Sequence, residues 1–381
     1  MRDILSKTVT FVLAGGRGVR LAPLTDSRSK PAVPFGDRRI IDFVLINSLK
    51  SNLTHPYVLT QYQATHLTQH VGRWWLQQSA LGQDPEAAPV CVPPPKKEYK
   101  GTAAALLQNL NLIHREAQHV LILSADHIYD MDYRELLRFH VNSGCDATLA
   151  SINYPSESSS QFGILEVGAS DDLRGFKEKP QVPKELPGQP GRVLANMGIY
   201  AFKKEVLVDA LQRDAADPCS SNDMGRNVIP NLVGRANIRA FQFQDPSTRE
   251  PRYWKDVGTI DAYYEASMEW LDRLPVQHRL AGSRSVIADG VRIHRTAEVI
   301  DSILMPGVVV GPNARIHRAI LDENVHVQRD AVVEFGAGGL PASRQTAKGV
   351  LVLTANSVVP ARERRVLPKL VGMERQRLVT S

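Results

Sequence analysis

Cysteine is scarce: 381 residues contain three, Cys91, Cys145 and Cys219, widely spaced and odd in number. That excludes a disulfide framework and leaves no paired metal-ligand spacing, so a reducing, cytoplasmic compartment is expected. Long apolar runs are missing too. The run nearest the N-terminus is FVLA at 11–14, too short for a signal peptide or a membrane span. Blocks of one charge are rare. The net charge is +6, yet bases and acids interleave, and the one dense basic run is Arg362, Arg364 and Arg365. No nucleic-acid partner is therefore expected; a modest excess suits phosphorylated small molecules or plain solubility equally well.

What is present is ordinary globular material, 43% hydrophobic and 23% charged, long enough for two domains. The first part alternates strand-like and helix-like patterns. Strands are expected at 8–13, 56–60, 119–123 and 147–152, and a helix at 102–114 (TAAALLQNLNLIH). Such alternation gives a mostly parallel, Rossmann-like α/β sheet whose ligands sit at the carboxyl ends of strands. The pattern changes after about residue 275. Laid on itself at the constant offset that carries 286 to 303, the chain aligns Val286, Ile303 and Ile320. The same offset aligns Val291, Val308 and Val325, then Val299, Ile316 and Val333. Small or β-branched residues at this period indicate three coils of a left-handed parallel β-helix. The division expected is the Rossmann-like α/β domain over 1–275, a linker at 276–285 and the β-helix over 286–381.

The richest segment runs from Val12 to Phe43. An apolar strand ends near Leu13 and meets Gly15, Gly16, Arg17 and Gly18, with Arg20 and Lys30 beyond. Glycines let backbone N–H groups approach a polyphosphate, and the two cations can neutralise it. The spacing matches neither a Walker loop nor a dinucleotide fingerprint. Further along, Asp126 follows an apolar strand, where a carboxylate suits Mg²⁺ and its bound phosphates, and Asp256 in YWKDVG could supply a second. Either could instead be a helix cap or a turn residue. Glu178 and Lys179 in FKEKP read without context as a solvated strand end.

The set GGRGVRLAPLT followed by KPAVPF resembles the signature of nucleotide-sugar pyrophosphorylases, and among them the bacterial ADP-glucose pyrophosphorylases. The resemblance continues in order through TQYQATHLTQH, YKGTAAAL, LSADHIYDMDY, FKEKP, NMGIYAF and YWKDVGTIDAYYEAS. It implies transfer of the adenylyl group of ATP to glucose 1-phosphate, with Mg²⁺ on Asp126 and Asp256 and with Arg20 and Lys30 on the leaving pyrophosphate. It also implies a nucleotide site at Leu13, Gly15, Gly16, Gly18, Gly101 and Thr102. Tyr99, Gly163, Glu178, Lys179 and Asn196 would hold glucose 1-phosphate, in a homotetrameric, allosteric enzyme of glycogen synthesis. Departures fall near regions linked in that family to activation by sugar phosphates. Ser27 stands where a basic residue is common and Glu98 where an aromatic is, and the loop at Asp37 is one residue short. Arg28 and Arg39 remain to keep some effector binding. Position 196 is Asn where Ser is usual. Alternatives are a relative using another nucleotide or sugar phosphate, a non-catalytic regulatory subunit, and an acyltransferase built on the β-helix. The last would need more coils than three and a catalytic His, and His294, His317 and His326 do not share a repeat column.

Overall fold

A computed structural model of the chain describes residues 1–95, 98–280, 282–337, 340–341 and 343–361. The basic run at 362–365 and the last part of the expected β-helix domain lie outside them. The strand Thr8–Ala14 is the axis of a nine-stranded sheet and runs parallel to both neighbours, Tyr57–Thr60 and His119–Ser124. Its side chains alternate between faces, so Val9 and Phe11 enter one core cluster while Val12 and Ala14 enter the other. Burial on both faces is why these strands read as nearly continuous apolar runs. Beyond His119–Ser124 the long strand Arg192–Lys203 turns the sheet antiparallel and carries Ala147–Pro155 and Gly163–Val167 at its flanks.

The expected helix at 102–114 ends early. The α-helix is Thr102–Gln108, followed by a 3₁₀ turn, Leu110–Leu112. Asn109 breaks it: its amide donates to the Ala105 carbonyl at 2.8 Å and to the Tyr99 hydroxyl at 3.0 Å, with φ at −118°. A side chain that satisfies backbone locally competes with helix propagation.

Each repeat is one coil of a parallel β-helix. Val286 pairs with Ile303 and Ile303 with Ile320; Val299 pairs with Ile316 and Ile316 with Val333. A fourth coil follows, in which Ile320 pairs with Val352 and Val327 with Val359. The step from 320 to 352 is nearly twice the step from 303 to 320, so an insertion hides this coil from a fixed-period search. The two parts share a core. Leu21, Leu24, Val33 and Phe35 pack with Tyr263 and Trp270 against Val286, Ile303, Ile320 and Val352 of the β-helix. Among the described residues no helix is long and apolar enough to cross a membrane.

Candidate active site

Two parallel neighbours end side by side, Thr8–Ala14 and His119–Ser124, and deliver the glycine loop and Asp126 to one edge of the sheet. Between them opens a cavity of about 370 Å³, lined by Leu13, Gly15, Gly16, Gly18, Lys30, Tyr99, Gly101, Thr102, Asp126 and Asp223 among others. Gly18 lies at φ +65°, and a Cβ there would sit 2.8 Å from the Lys30 Cβ. Only glycine meets both demands. Gly101 is held for another reason: a Cβ would collide with the Asn222 carbonyl, which accepts the Ala103 N–H at 2.8 Å.

At the floor of the cavity the Lys30 ammonium lies 3.0 Å from Asp126 Oδ2 and 3.0 Å from Asp256 Oδ1. Asp256 arrives by a short ladder, since Trp254–Asp256 pairs antiparallel with His127–Tyr129 and sets Asp256 opposite His127. Burial alone would lower the Lys30 pKa; the two carboxylates outweigh it and raise it above the ordinary value. Burial likewise pushes the Asp126 carboxyl up, but Lys30, His127 and the Ser124 hydroxyl, which donates at 2.6 Å, hold it well below the usual range. The Arg20 guanidinium comes to the neighbourhood of Asp256, for a Cβ on Gly258 would be 2.9 Å from both Arg20 Nη2 and Asp256 Oδ2.

Donor atoms of Asp126, His127 and Asp256 all lie within 4.8 Å of one another. Two carboxylates already gathered around one cation form a hard-oxygen cradle that could hold a divalent ion. Among the described residues the buried Nδ1 of His127 has no hydrogen-bond partner, and its ring packs on Trp254 at 4.9 Å.

The other proposed group stands further along the cleft. Glu178 is the cross-strand partner of Gly163, and its Oε2 would lie 3.1 Å from a Cβ on Gly225. Lys179 has a left-handed φ of +51° and a side chain 42% exposed; its ammonium is 3.5 Å from Glu178 Oε1. Burial raises the Glu178 pKa, against the pull of Lys179 and with the help of Asp223. Asn196 uses its amide within the protein, donating to the Tyr200 hydroxyl at 2.8 Å and accepting from Gly198 N–H at 3.1 Å. Tyr99 lines the glycine-loop cavity, with its hydroxyl engaged by Asn109.

Sequence reasoning passed over Asp223, Ser124 and His127. Ser124 and His127 sit inside the quoted motif LSADHIYD and could have been found from it. Asp223 offers no local signal. It accepts from the Thr102 hydroxyl at 3.1 Å and from the N–H groups of Gly225 and Arg226, so it ties the glycine-loop cavity to the Glu178 end. Arg28 and Arg39, the cations that remain near the altered effector positions, already have carboxylate partners. Arg28 is buried against Asp322 at 2.8 Å, and Arg39 pairs with Glu323 at 2.9 Å. Two acidic β-helix residues, adjacent in sequence, reach across to neutralise them.

Residues 9–273 match the model of the nucleotidyl transferase family, and residues 281–351 match that of the GlmU-like C-terminal hexapeptide repeat. Among curated proteins, the chain is 36% identical to a glucose-1-phosphate adenylyltransferase of Paramagnetospirillum magneticum, over 94% of this chain and 96% of that one. It is 39% identical to that of Saccharophagus degradans, over 86% and 80%. With the enzyme of Leifsonia xyli the figures are 34%, over 95% and 99%.

Proposed function

The chain belongs to the nucleotidyl transferase family, and on that premise we infer that it is a glucose-1-phosphate adenylyltransferase. It transfers the adenylyl group of ATP to α-D-glucose 1-phosphate and releases pyrophosphate. The observation that carries the site assignment is the Lys30 ammonium held 3.0 Å from both Asp126 and Asp256 beside the glycine-loop cavity. A phosphate oxygen of the sugar phosphate attacks the α-phosphorus; the new P–O bond forms as the bond to the pyrophosphate oxygen breaks. The nucleophile is already an anion, so no protein base is needed, and the protein's work is alignment and charge neutralisation.

Each group has a part in that work. The N–H groups of Gly15, Gly16 and Gly18 take the triphosphate, and Leu13, Gly101 and Thr102 border the nucleoside. Lys30 and Arg20 meet the negative charge that grows on the departing pyrophosphate. Glu178 accepts sugar hydroxyls, Lys179 pairs with the sugar phosphate, and Gly163 lets the Phe176 ring and the Glu178 carboxylate lie close against the sugar site. Tyr99 and Asn196 act less directly, the first by shaping the cavity wall and the second by fixing the irregular stretch between Asn196 and Tyr200 of the strand Arg192–Lys203. Asp126 and Asp256 would hold Mg²⁺. Bound there, the ion would polarise the α-phosphate and offset its charge. The product supplies glycogen or a related glucan in the cytoplasm, from a homotetramer whose catalytic part is 1–275 and whose β-helix begins at 286.

The test is formation of sugar nucleotide and pyrophosphate by purified protein with ATP, dTTP, UTP and GTP against several sugar 1-phosphates. ATP with glucose 1-phosphate is expected to give the highest kcat/KM. A preference for another nucleotide would leave the reaction class standing and move the specificity elsewhere in the family.

A further inference from the structure

The turn that carries Lys30 is braced from outside its own domain. Arg28, two residues before Lys30, has a side chain 4% exposed, and its partner Asp322 is 2% exposed. The pairing is a fork: Nη1 donates to Asp322 Oδ1 at 2.8 Å and Nη2 to Oδ2 at 3.3 Å, between segments far apart in sequence. Nη2 also lies 3.2 Å from Glu323 Oε2. The opposite oxygen of Glu323 receives Arg39 Nη2 at 2.9 Å, and Arg39 Nη1 donates to the carbonyl of Ala32. Ala32 closes the 3₁₀ turn Lys30–Ala32. The chain just before that turn and the turn's last residue are therefore tied to two successive β-helix carboxylates, the first through Arg28 and the second through Arg39. A third tie joins the same segment further upstream, where Arg344 of the inserted part of the β-helix donates to the Ala22 carbonyl.

We propose that Asp322 and Glu323 of the β-helix are positioning residues for Lys30, so that the β-helix completes the catalytic centre without touching substrate. The physical case rests on what such a pair does well. A buried ion pair adds little net stability compared with apolar packing, because desolvation offsets the attraction. It does fix geometry, since a bidentate guanidinium–carboxylate pair tolerates few arrangements. Lys30 must sit between Asp126 and Asp256 while presenting its charge to a leaving group, a place where a shift of about 1 Å is costly. Apolar packing of Leu24, Val33 and Phe35 holds the segment on the β-helix but leaves sliding freedom that the ion pairs remove.

The proposal rests on the role given to Lys30 above, and the experiment separates the two. Four variants are compared by kcat, by KM for both substrates and by melting temperature: Lys30→Met, Glu323→Gln, Asp322→Asn and the double variant Arg28→Met/Asp322→Leu. Because Lys30 acts on charge that develops during the reaction, loss of its position lowers kcat and leaves both KM values nearly unchanged. The expected falls in kcat are about threefold for Glu323→Gln and at least about tenfold for Asp322→Asn. Asp322→Asn also lowers the melting temperature, because the buried Arg28 loses its forked partner and keeps only the single contact to Glu323. The double variant replaces the pair by apolar groups, so its melting temperature recovers while its kcat stays low. Recovery of kcat together with stability would show a merely structural pair and overturn the proposal. So would an unchanged kcat in Glu323→Gln, the partly exposed member and mildest change, whatever the other two do. If Lys30→Met is active, the role of Lys30 fails first; if it is inactive while the Asp322 and Glu323 variants match wild type, the positioning proposal alone fails.

Discussion

At the glycine-loop end of the cleft the charges already have partners. Lys30 is 7% exposed and bridges two carboxylates, and Asp126 accepts from Ser124 as well. At the Glu178 end Lys179 stands 42% exposed on a left-handed backbone, 3.5 Å from Glu178 and paired with nothing else among the described ion pairs. The difference follows the chemistry. Where charge moves during the reaction, donors and cations must be set before it starts, because reorganising them would cost barrier height. Where a substrate is only gripped, an open lysine can be neutralised by the substrate itself.

The comparison breaks most easily at Lys30. Lys30→Met removes the ammonium set between Asp126 and Asp256 and is expected to lower kcat by about a thousandfold. A fall of less than about tenfold, near 1.4 kcal/mol of barrier, would remove Lys30 from the chemistry. Lys179→Ala should behave differently. It is expected to raise KM for glucose 1-phosphate about thirtyfold and to leave KM for ATP nearly unchanged. Equal changes in both constants would make the two ends one structural unit.

A smaller effect separates the ends by pH. Glu178 is pushed above its ordinary value by burial, whereas Asp126 is held well below its own by Lys30. As pH falls Glu178 therefore takes its proton first and becomes a weaker acceptor for the sugar hydroxyls proposed to bind there, while Asp126 stays ionised. The ratio of kcat/KM for glucose 1-phosphate between wild type and Glu178→Gln, which cancels the titration of the sugar phosphate, should fall from about tenfold near pH 8 toward unity in acid. A ratio flat with pH would place the acid limb elsewhere.

How much of this could be read from the chain alone depends on how local each feature is. The glycine loop, Asp126 and the strands behind them were legible because strand, turn and carboxylate follow one another in sequence. The repeat was legible while its step stayed constant; the coil ending at Val359 was lost because its insertion changes the period. The helix at 102–114 was overrun because apolar spacing says nothing of Asn109 turning back on Ala105. Asp223 and the Arg28–Asp322 pair could not be found, since each exists only where distant segments meet.

That last pair bears on the smallest effect. Ser27 offers no charge to an anionic effector, and Arg28 and Arg39 are already neutralised by Asp322 and Glu323. Activation by fructose 1,6-bisphosphate is expected to stay under about fivefold, near 1 kcal/mol of coupling. Twentyfold or more at saturating substrates would mean that other residues make an effector site.

The central claim, that Asp126 is the carboxylate around which the transfer is organised, is tested most directly by Asp126→Asn. The substitution keeps size and removes charge. Purified variant and wild type are compared for the rate of ADP-glucose formation at saturating ATP, glucose 1-phosphate and Mg²⁺, with melting temperature as the check on folding. The account predicts a folded protein whose rate has fallen by about a thousandfold or more; a folded variant within about tenfold of wild type would contradict it.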